Sequence, residues 1–251
     1  MIKRKTRRRV CGSKNLKLWL DLGMTPLANS YVDQKDLDKP ELFFPLQVNQ
    51  CKVCDNVQLA HVVDPKVMFN DYLYSSSTSP VFVKHFDDFA HKMGKKEFVV
   101  DIGSNDGILL KPFKALGSKV LGVEPAKNIK SSVPVLNEFW SVRIAKRIRR
   151  KYGWADLITA TNVFAHIDDL DEVLDGVKAL LSPEGQFAVE VTDIYQMLEK
   201  GSFDLIYHEH VNYWSKSTLR KFFELRGMEV IKIEKIPVHG GSIRAYARIS
   251  K

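Results

Sequence analysis

Apolar positions in the last two thirds of the chain alternate between two patterns. The run opening at Val99, then Lys119–Val123, Ala155–Ala160 and Gly185–Val191, are short stretches of Val, Ile, Leu and Ala with few polar interruptions, the pattern of strands buried on both faces. Ahead of them, Val81, Phe82, Phe86, Phe89 and Met93 recur at helical spacing within 80–96. Helices are also predicted over 141–152, 168–181 and 215–226, the last opening on a hydroxyl cap and ending at Gly227. Strands at 228–236 and 242–249 follow. This alternation predicts an α/β fold with a doubly wound, mostly parallel sheet and ligands at the carboxyl ends of its strands. Residues 10–79 break the pattern, mixing short strands with Gly and Pro turns around 20–31 and 43–48. A small N-terminal domain over 1–79 is therefore expected ahead of a larger one over 80–251.

The stretch Val99–Gly107 is the organising feature of the larger domain. An apolar run enters Asp101, and Gly103, Asn105 and Gly107 form a tight turn before Ile108–Leu110 resumes, so a ligand can approach the backbone. The next strand ends at Glu124, 23 residues beyond Asp101, where a βαβ nucleotide site places a carboxylate on ribose hydroxyls. The turn spells D-x-G-x-N-x-G and lacks the G-x-G-x-x-G that clamps a pyrophosphate, which favours a ligand with a ribose and no phosphate. This order of elements resembles the class I S-adenosylmethionine-dependent methyltransferases.

Charge and cysteine usage add to the picture. No apolar run approaches the ~20 residues of a membrane helix, and a cytoplasmic protein is expected. The net charge of +8 comes largely from Lys3, Arg4, Lys5, Arg7, Arg8 and Arg9, read as a solvated, mobile tail because no aromatic is interleaved. Nucleic acid is not the expected partner. Cys11, followed by Gly-Ser, and the pair Cys51-x-x-Cys54 have the look of the two knuckles of a zinc ribbon. The position three before Cys11 is Arg8, which has no lone pair to offer a metal. His61 or a water is the alternative fourth ligand, and a metal-free knuckle the alternative to both.

Two clusters carry candidate chemistry. His166 closes Thr161–His166 at a strand's carboxyl end, near the expected cofactor, or else caps the helix after it. Tyr207-His208-Glu209-His210, followed by Tyr213 and Trp214, gathers what removal of a proton from carbon requires: a base, a group to orient it and a donor for the oxyanion. In a helical turn Tyr207 and His210 share a face; in an extended segment Tyr207 and Glu209 do. Residues 71–79, with Tyr72, Tyr74 and a run of hydroxyls, are a candidate lip of the site.

Taken together, C-G-S, L-x-L-G-x-x-P-L-A-N-S-Y, C-x-V-C, D-Y-L-Y-S-S-S-T-S, D-I-G-S-N-D-G, N-V-F-A-H-I, Y-H-E-H-V-N-Y-W and H-G-G-S-I-R resemble the sugar-nucleotide C-methyltransferases of deoxysugar biosynthesis. The resemblance covers nearly the whole chain. It implies S-adenosylmethionine as cofactor, zinc in the N-terminal domain, and methylation at carbon 3 of a nucleotide-linked 4-keto-6-deoxysugar. It also implies His210 as base, Tyr207 as its partner or the oxyanion donor, Glu209 fixing the imidazole tautomer, and His166 in the active site. Asp101, Gly103, Asn105 and Gly107 would then line the cofactor turn, with Glu124 on the ribose and Asn162 at the methionine end. Tyr72 or Tyr74, His239 and Ser242 would face the sugar. Two departures from the family are Arg8 in place of a cysteine, and a further C-terminal domain that family members carry and this sequence, ending at Lys251, does not contain. The expectation is that cofactor binding survives while the sugar wall is incomplete or borrowed from a partner protein. Competing readings are a zinc-ribbon RNA methyltransferase, for which the Tyr-His-Glu-His cluster has no use, and a remnant that binds cofactor only.

Overall fold

A computed structural model describes residues 1–7, 9–69, 75–238 and 240–250. The N-terminal part contains β1 (Ile2–Arg4), β2 (Leu16–Thr25), β3 (Phe44–Cys51), β4 (Val57–Leu59), β5 (His61–Val63) and the short helix α1 (Pro65–Phe69). After α2 (Pro80–Met93) come β6 (Phe98–Ile102), α3 (Leu110–Ala115), β7 (Lys119–Val123), β8 (Val135–Leu136), α4 (Val142–Tyr152), β9 (Ala155–Thr161), α5 (Leu170–Leu180) and β10 (Leu181–Thr192). The remainder is α6 (Ile194–Glu199), β11 (Asn212–Tyr213), α7 (Lys216–Glu224), β12 (Met228–Ile236) and β13 (Ser242–Ile249).

The helix ends follow local chemistry. Pro80 opens α2, whose C-cap is Gly94 at φ 66°. Ser141 accepts from the Ile144 N–H at the start of α4, Asp169 from that of Glu172 at the start of α5, and Ser215 forms a capping box with Thr218 at the start of α7. In α4 the buried Ile144, Ala145 and Ile148 form one face and the basic residues the other.

The large sheet has the order β12-β13-β10-β9-β6-β7-β8. Strands β10, β9, β6, β7 and β8 are parallel, and β13 is antiparallel to both β10 and β12. One face packs on α4, α5 and α7 through a core containing Phe164, Trp214, Phe222 and Phe223; the other packs on α2 and α3 through Phe86, Phe89 and Phe113. Beneath α2, Glu190 and Arg244 form a buried ion pair, with an Arg244 Nη2–Glu190 Oε2 distance of 2.6 Å, and His85 Nε2 lies 3.0 Å from the same carboxylate.

The N-terminal sheet has the order β11-β4-β3-β2, so it recruits a strand that lies more than 150 residues later in the chain. The basic N-terminus is not a solvated tail. Strand β1 pairs antiparallel with β5, Lys5 and Arg9 both contact Asp168, and Arg9 is 4% exposed. The aromatic-free composition that suggested a mobile tail gave no sign of β5 as a pairing partner or of Asp168 as a counter-ion. Among the described residues no helix is long and apolar enough to cross a membrane.

Candidate active site

The parallel strands end at a cavity of about 780 Å³, and most of the cofactor residues expected from sequence line it: Asp101, Gly103, Asn105, Glu124 and Asn162. The turn after β6 is held from both sides. Glu124 accepts from the Asn105 N–H through Oε2 and from the Ala126 N–H through Oε1, each at 2.9 Å. Burial pushes the Glu124 carboxyl above its ordinary range, opposed by those two N–H groups. Burial pushes Asp101 up to about 7, against the 2.6 Å hydrogen bond from Thr159 and with the help of the Glu124 charge. Asn105 and Asn162, at φ 48° and 57°, take left-handed backbone that side chains seldom adopt, a form of strain that collects at ligand sites.

The hydroxyl run clamps this turn. Ser75 Oγ donates to Asp106 Oδ2 at 2.7 Å, the Ser77 N–H to the same oxygen at 2.9 Å, and the Ser76 N–H to Asn105 Oδ1 at 2.9 Å. Ser76 lines the cavity, as a lip residue is expected to, whereas Tyr72 and Tyr74 lie outside the described residues. Gly107 does not line the cavity. It is needed for packing, because at φ 82° a Cβ there would sit 2.5 Å from Val133 Cγ2. Ser242 is also away from the cavity, fully buried, with its hydroxyl donated to the Val238 carbonyl, so the expected sugar contact is not built there. His239 lies outside the described residues.

His166, Tyr207 and His210 line the same cavity. Residues 207–210 form a turn, with the His210 N–H donating to the Tyr207 carbonyl, which puts Tyr207 and His210 on one face and resolves the two alternatives in favour of the helical one. Their rings lie 4.3 Å apart, and Tyr207 Oη is 3.2 Å from His210 Nε2. His210 Nδ1 is 2.8 Å from the Leu205 carbonyl oxygen. A carbonyl only accepts, so Nδ1 carries the proton and Nε2 presents its lone pair to the phenol. The tautomer is thus set by backbone, a correction to the role expected of Glu209, whose Oε1 instead accepts from Asn29 Nδ2 at 2.6 Å. Burial, with the Glu209 and Asp204 charges, holds the Tyr207 phenol well above its ordinary pKa, so it keeps its proton. His208 handles no proton: it is buried, its Nε2 donates to the Phe44 carbonyl, and burial lowers its pKa. His166 stacks on Phe69 at 5.7 Å and lies 5.0 Å from the His210 ring, while the cap of α5 is Asp169.

The N-terminal part lines the cavity with Asn29, Val62, Val63, Pro65 and Phe69, and with residues 1–3. Sequence reasoning missed this wall. Asn29 alone carried a signal, standing in the Pro-Leu-Ala-Asn-Ser-Tyr run among turn residues.

The ligating atoms of Cys11, Cys51 and Cys54 lie within 4.8 Å of one another. Sγ of Cys51 accepts from the Val53 and Cys54 N–H groups at 3.2 and 2.7 Å, bonds that turn the knuckle inward. Burial and the neighbouring thiols push Cys54 up to about 12, so a cation is needed to hold the set as thiolates. Three converging thiols fit a zinc ion. His61 is not in the cluster; it sits in β5 opposite Arg4.

The mixed sheet, the glycine turn after β6 and the carboxylate at the end of β7 define a class I methyltransferase with the S-adenosylmethionine-binding fold, preceded by a small β domain with a zinc-binding motif. Residues 80–233 match the family described as "Methyltransferase domain", to which the chain belongs, and residues 9–69 match the one described as "Putative zinc binding domain". C-methyltransferase NovU of Streptomyces niveus is 36% identical over 253 residues, covering 95% of this chain and 60% of NovU. A ubiquinone biosynthesis O-methyltransferase of Cupriavidus pinatubonensis is 23% identical over 179 residues, 62% of this chain and 68% of that protein. Among solved structures, the PH0226 protein of Pyrococcus horikoshii superimposes with a TM-score of 0.55 at 15% identity, covering 75% of this chain and 97% of that one. The plantazolicin methyltransferase BpumL in complex with SAH gives 0.53 at 13%, covering 70% and 87%. These two likenesses concern the fold.

Proposed function

We propose that the protein is a C-methyltransferase that uses S-adenosylmethionine to methylate carbon 3 of a nucleotide-linked 4-keto-6-deoxysugar. The observation that carries this reading is the Tyr207–His210 pair, 3.2 Å apart, in the same cavity as the cofactor residues. The similarity to a C-methyltransferase supports it.

Asp101, Gly103, Asn105 and Asn162 would hold the cofactor, with Glu124 accepting from its ribose hydroxyls. When bound, the cofactor supplies an electrophilic methyl on a sulfonium. The sugar ketone acidifies the adjacent C–H. As the ketone oxygen arrives, the Tyr207 O–H turns from His210 Nε2 to that oxygen, freeing the Nε2 lone pair to take the proton from carbon. The C–H electron pair moves into the enolate, whose oxygen is held by the neutral phenol; the carbon left nucleophilic would face the methyl that the bound cofactor supplies, with S-adenosylhomocysteine as the leaving group. The Leu205 carbonyl keeps Nδ1 protonated, so the imidazole becomes a cation on accepting the proton and the nearby Glu209 carboxylate balances it.

The test is deuterium incorporation from heavy water at carbon 3, followed by NMR, with S-adenosylhomocysteine in the cofactor site. Exchange is expected with the parent chain, and a loss of about 10²- to 10⁴-fold in His210→Ala. Protein that binds S-adenosylhomocysteine yet gives no exchange above the enzyme-free rate would overturn the reading and favour a cofactor-binding remnant. Salt-dependent retention on RNA would favour the RNA reading, although Lys5 and Arg9 of the basic segment already face Asp168.

A further inference from the structure

The loop that carries Tyr207–His210 belongs to the large domain in sequence, but it is fastened to the N-terminal sheet. Strand β11, immediately after it, pairs with β4. The Leu59 N–H donates to the Val211 carbonyl at 3.0 Å, Asn56 Nδ2 to Asn212 Oδ1 at 2.9 Å, and His208 Nε2 to the Phe44 carbonyl at 3.3 Å. Within this loop Glu209 is 4% exposed. A carboxylate so buried requires a donor, and Asn29 supplies one from 180 residues away. That contact also fixes the amide, because a carboxylate selects the NH₂ end. Asn29 lines the cavity in its own right.

We propose that Asn29 is a positioning residue which holds the Glu209 carboxylate beside Tyr207 and His210, so that the N-terminal domain completes the acid–base centre. The proposal rests on the function given above. With Asn29 in place, Glu209 stays where its charge adds to burial in keeping the Tyr207 phenol protonated and balances the imidazolium formed at His210. Without it, Glu209 Oε1 loses a 2.6 Å donor at a buried position, which favours the protonated or a displaced carboxyl and so weakens the negative charge beside the pair when the base becomes positive. Glu209 acts electrostatically on Tyr207, as Asp204 also does, and His210 follows it in the chain; Asn29 is a neutral donor to it.

The experiment compares the parent chain with Asn29→Ala, Glu209→Gln and the double variant in the carbon 3 exchange assay. Affinity for S-adenosylhomocysteine and the melting temperature are measured in parallel. Asn29→Ala is expected to slow exchange about 10- to 100-fold with cofactor affinity unchanged, and to cost little further in the Glu209→Gln background. Independent, multiplying losses would overturn the proposal, as would an unchanged rate. A readout that needs no substrate separates this from failure of the function itself. The Glu209 carboxyl, followed by ¹³C NMR in glutamate-labelled protein and assigned by its absence from Glu209→Gln, is expected to titrate at higher pH in Asn29→Ala than in the parent, because a donor to the carboxylate is lost. If the parent shows no exchange and that titration still moves, the contact stands and the reaction is wrong. If the titration does not move, Asn29 does not hold Glu209 and the proposal falls.

Discussion

Replacing Gly103 by alanine tests whether the cofactor turn is built as its backbone indicates. Gly103 sits at φ 68°, and a Cβ there would lie 2.6 Å from Val163 Cγ2 and 2.9 Å from Val163 Cβ. Two costs therefore add. Left-handed backbone in a residue with a Cβ costs about 1–2 kcal/mol, and forcing a methyl into filled space costs about 1–3 kcal/mol. The total is about 2–5 kcal/mol, which at roughly 2–4 °C per kcal/mol for a chain of this size lowers the melting temperature by roughly 4–20 °C. The Gly103 N–H donates to the Val123 carbonyl at 2.8 Å, so a displaced turn also disturbs the Asn105–Glu124 contact, and affinity for S-adenosylhomocysteine should fall at least tenfold. The assay is thermal melting with and without S-adenosylhomocysteine, run on Gly103→Ala, Val163→Ala and the pair. In the Val163→Ala background the contacts with Cγ1 and Cγ2 are gone and only the one with Cβ remains, so the cost of Gly103→Ala should shrink while staying above the backbone cost alone. A melting temperature within 1 °C of the parent, or an equal cost in both backgrounds, refutes the reasoning.

Other outcomes follow from single groups. Asp101 titrates at about 7 in the fold against an ordinary value of 3.8, so its neutral form is favoured in the fold and it withdraws stability as pH rises between those values. Asp101→Asn should therefore gain on the parent in cofactor-free melts from pH 5 to 8, by an amount on the order of a few kcal/mol, and an equal response to pH in both proteins counts against it. Arg9→Ala leaves Asp168 with Lys5 alone and empties a buried site, for an expected loss of about 3 kcal/mol in urea unfolding, whereas Lys5→Ala should cost under about 1 kcal/mol; equal losses contradict the burial argument. Cys51→Ser should abolish stoichiometric zinc by elemental analysis and make the melting temperature insensitive to chelator, and retained zinc would mean that the cluster is not the site.

The sequence was most legible where function depends on neighbours in the chain. The turn from Asp101 to Asn105 and the carboxylate at Glu124 are a strand, a turn and a strand end, all within one βαβ unit, and their cavity contacts follow from that order. The helix starts at Ser141 and Ser215 were equally readable, because a cap is decided within four residues. The same local logic misled at Gly107 and Ser242. Belonging to a motif did not reveal that Gly107 faces Val133 or that Ser242 hydrogen-bonds the Val238 carbonyl. The basic N-terminus misled for the opposite reason, since nothing within nine residues indicates Asp168.

The turn at Tyr207–His210 was illegible in a more instructive way. Side chains were visible as Tyr-His-Glu-His, and a pattern of side chains invites the assumption that they serve one another. The imidazole is in fact oriented by the Leu205 backbone carbonyl, a group present at every position and so absent from any motif, while His208 is spent on holding the loop to β3. Glu209 is then released from the role of orienting the base and becomes a buried charge near Tyr207, held by Asn29 from the N-terminal part. This division explains why two units that look separable along the chain form a single cavity. The large sheet supplies a turn and a strand end that are assembled locally, whereas the Tyr207–His210 turn carries a buried carboxylate that accepts from Asn29, in the segment after β2, beside the sheet that has captured β11.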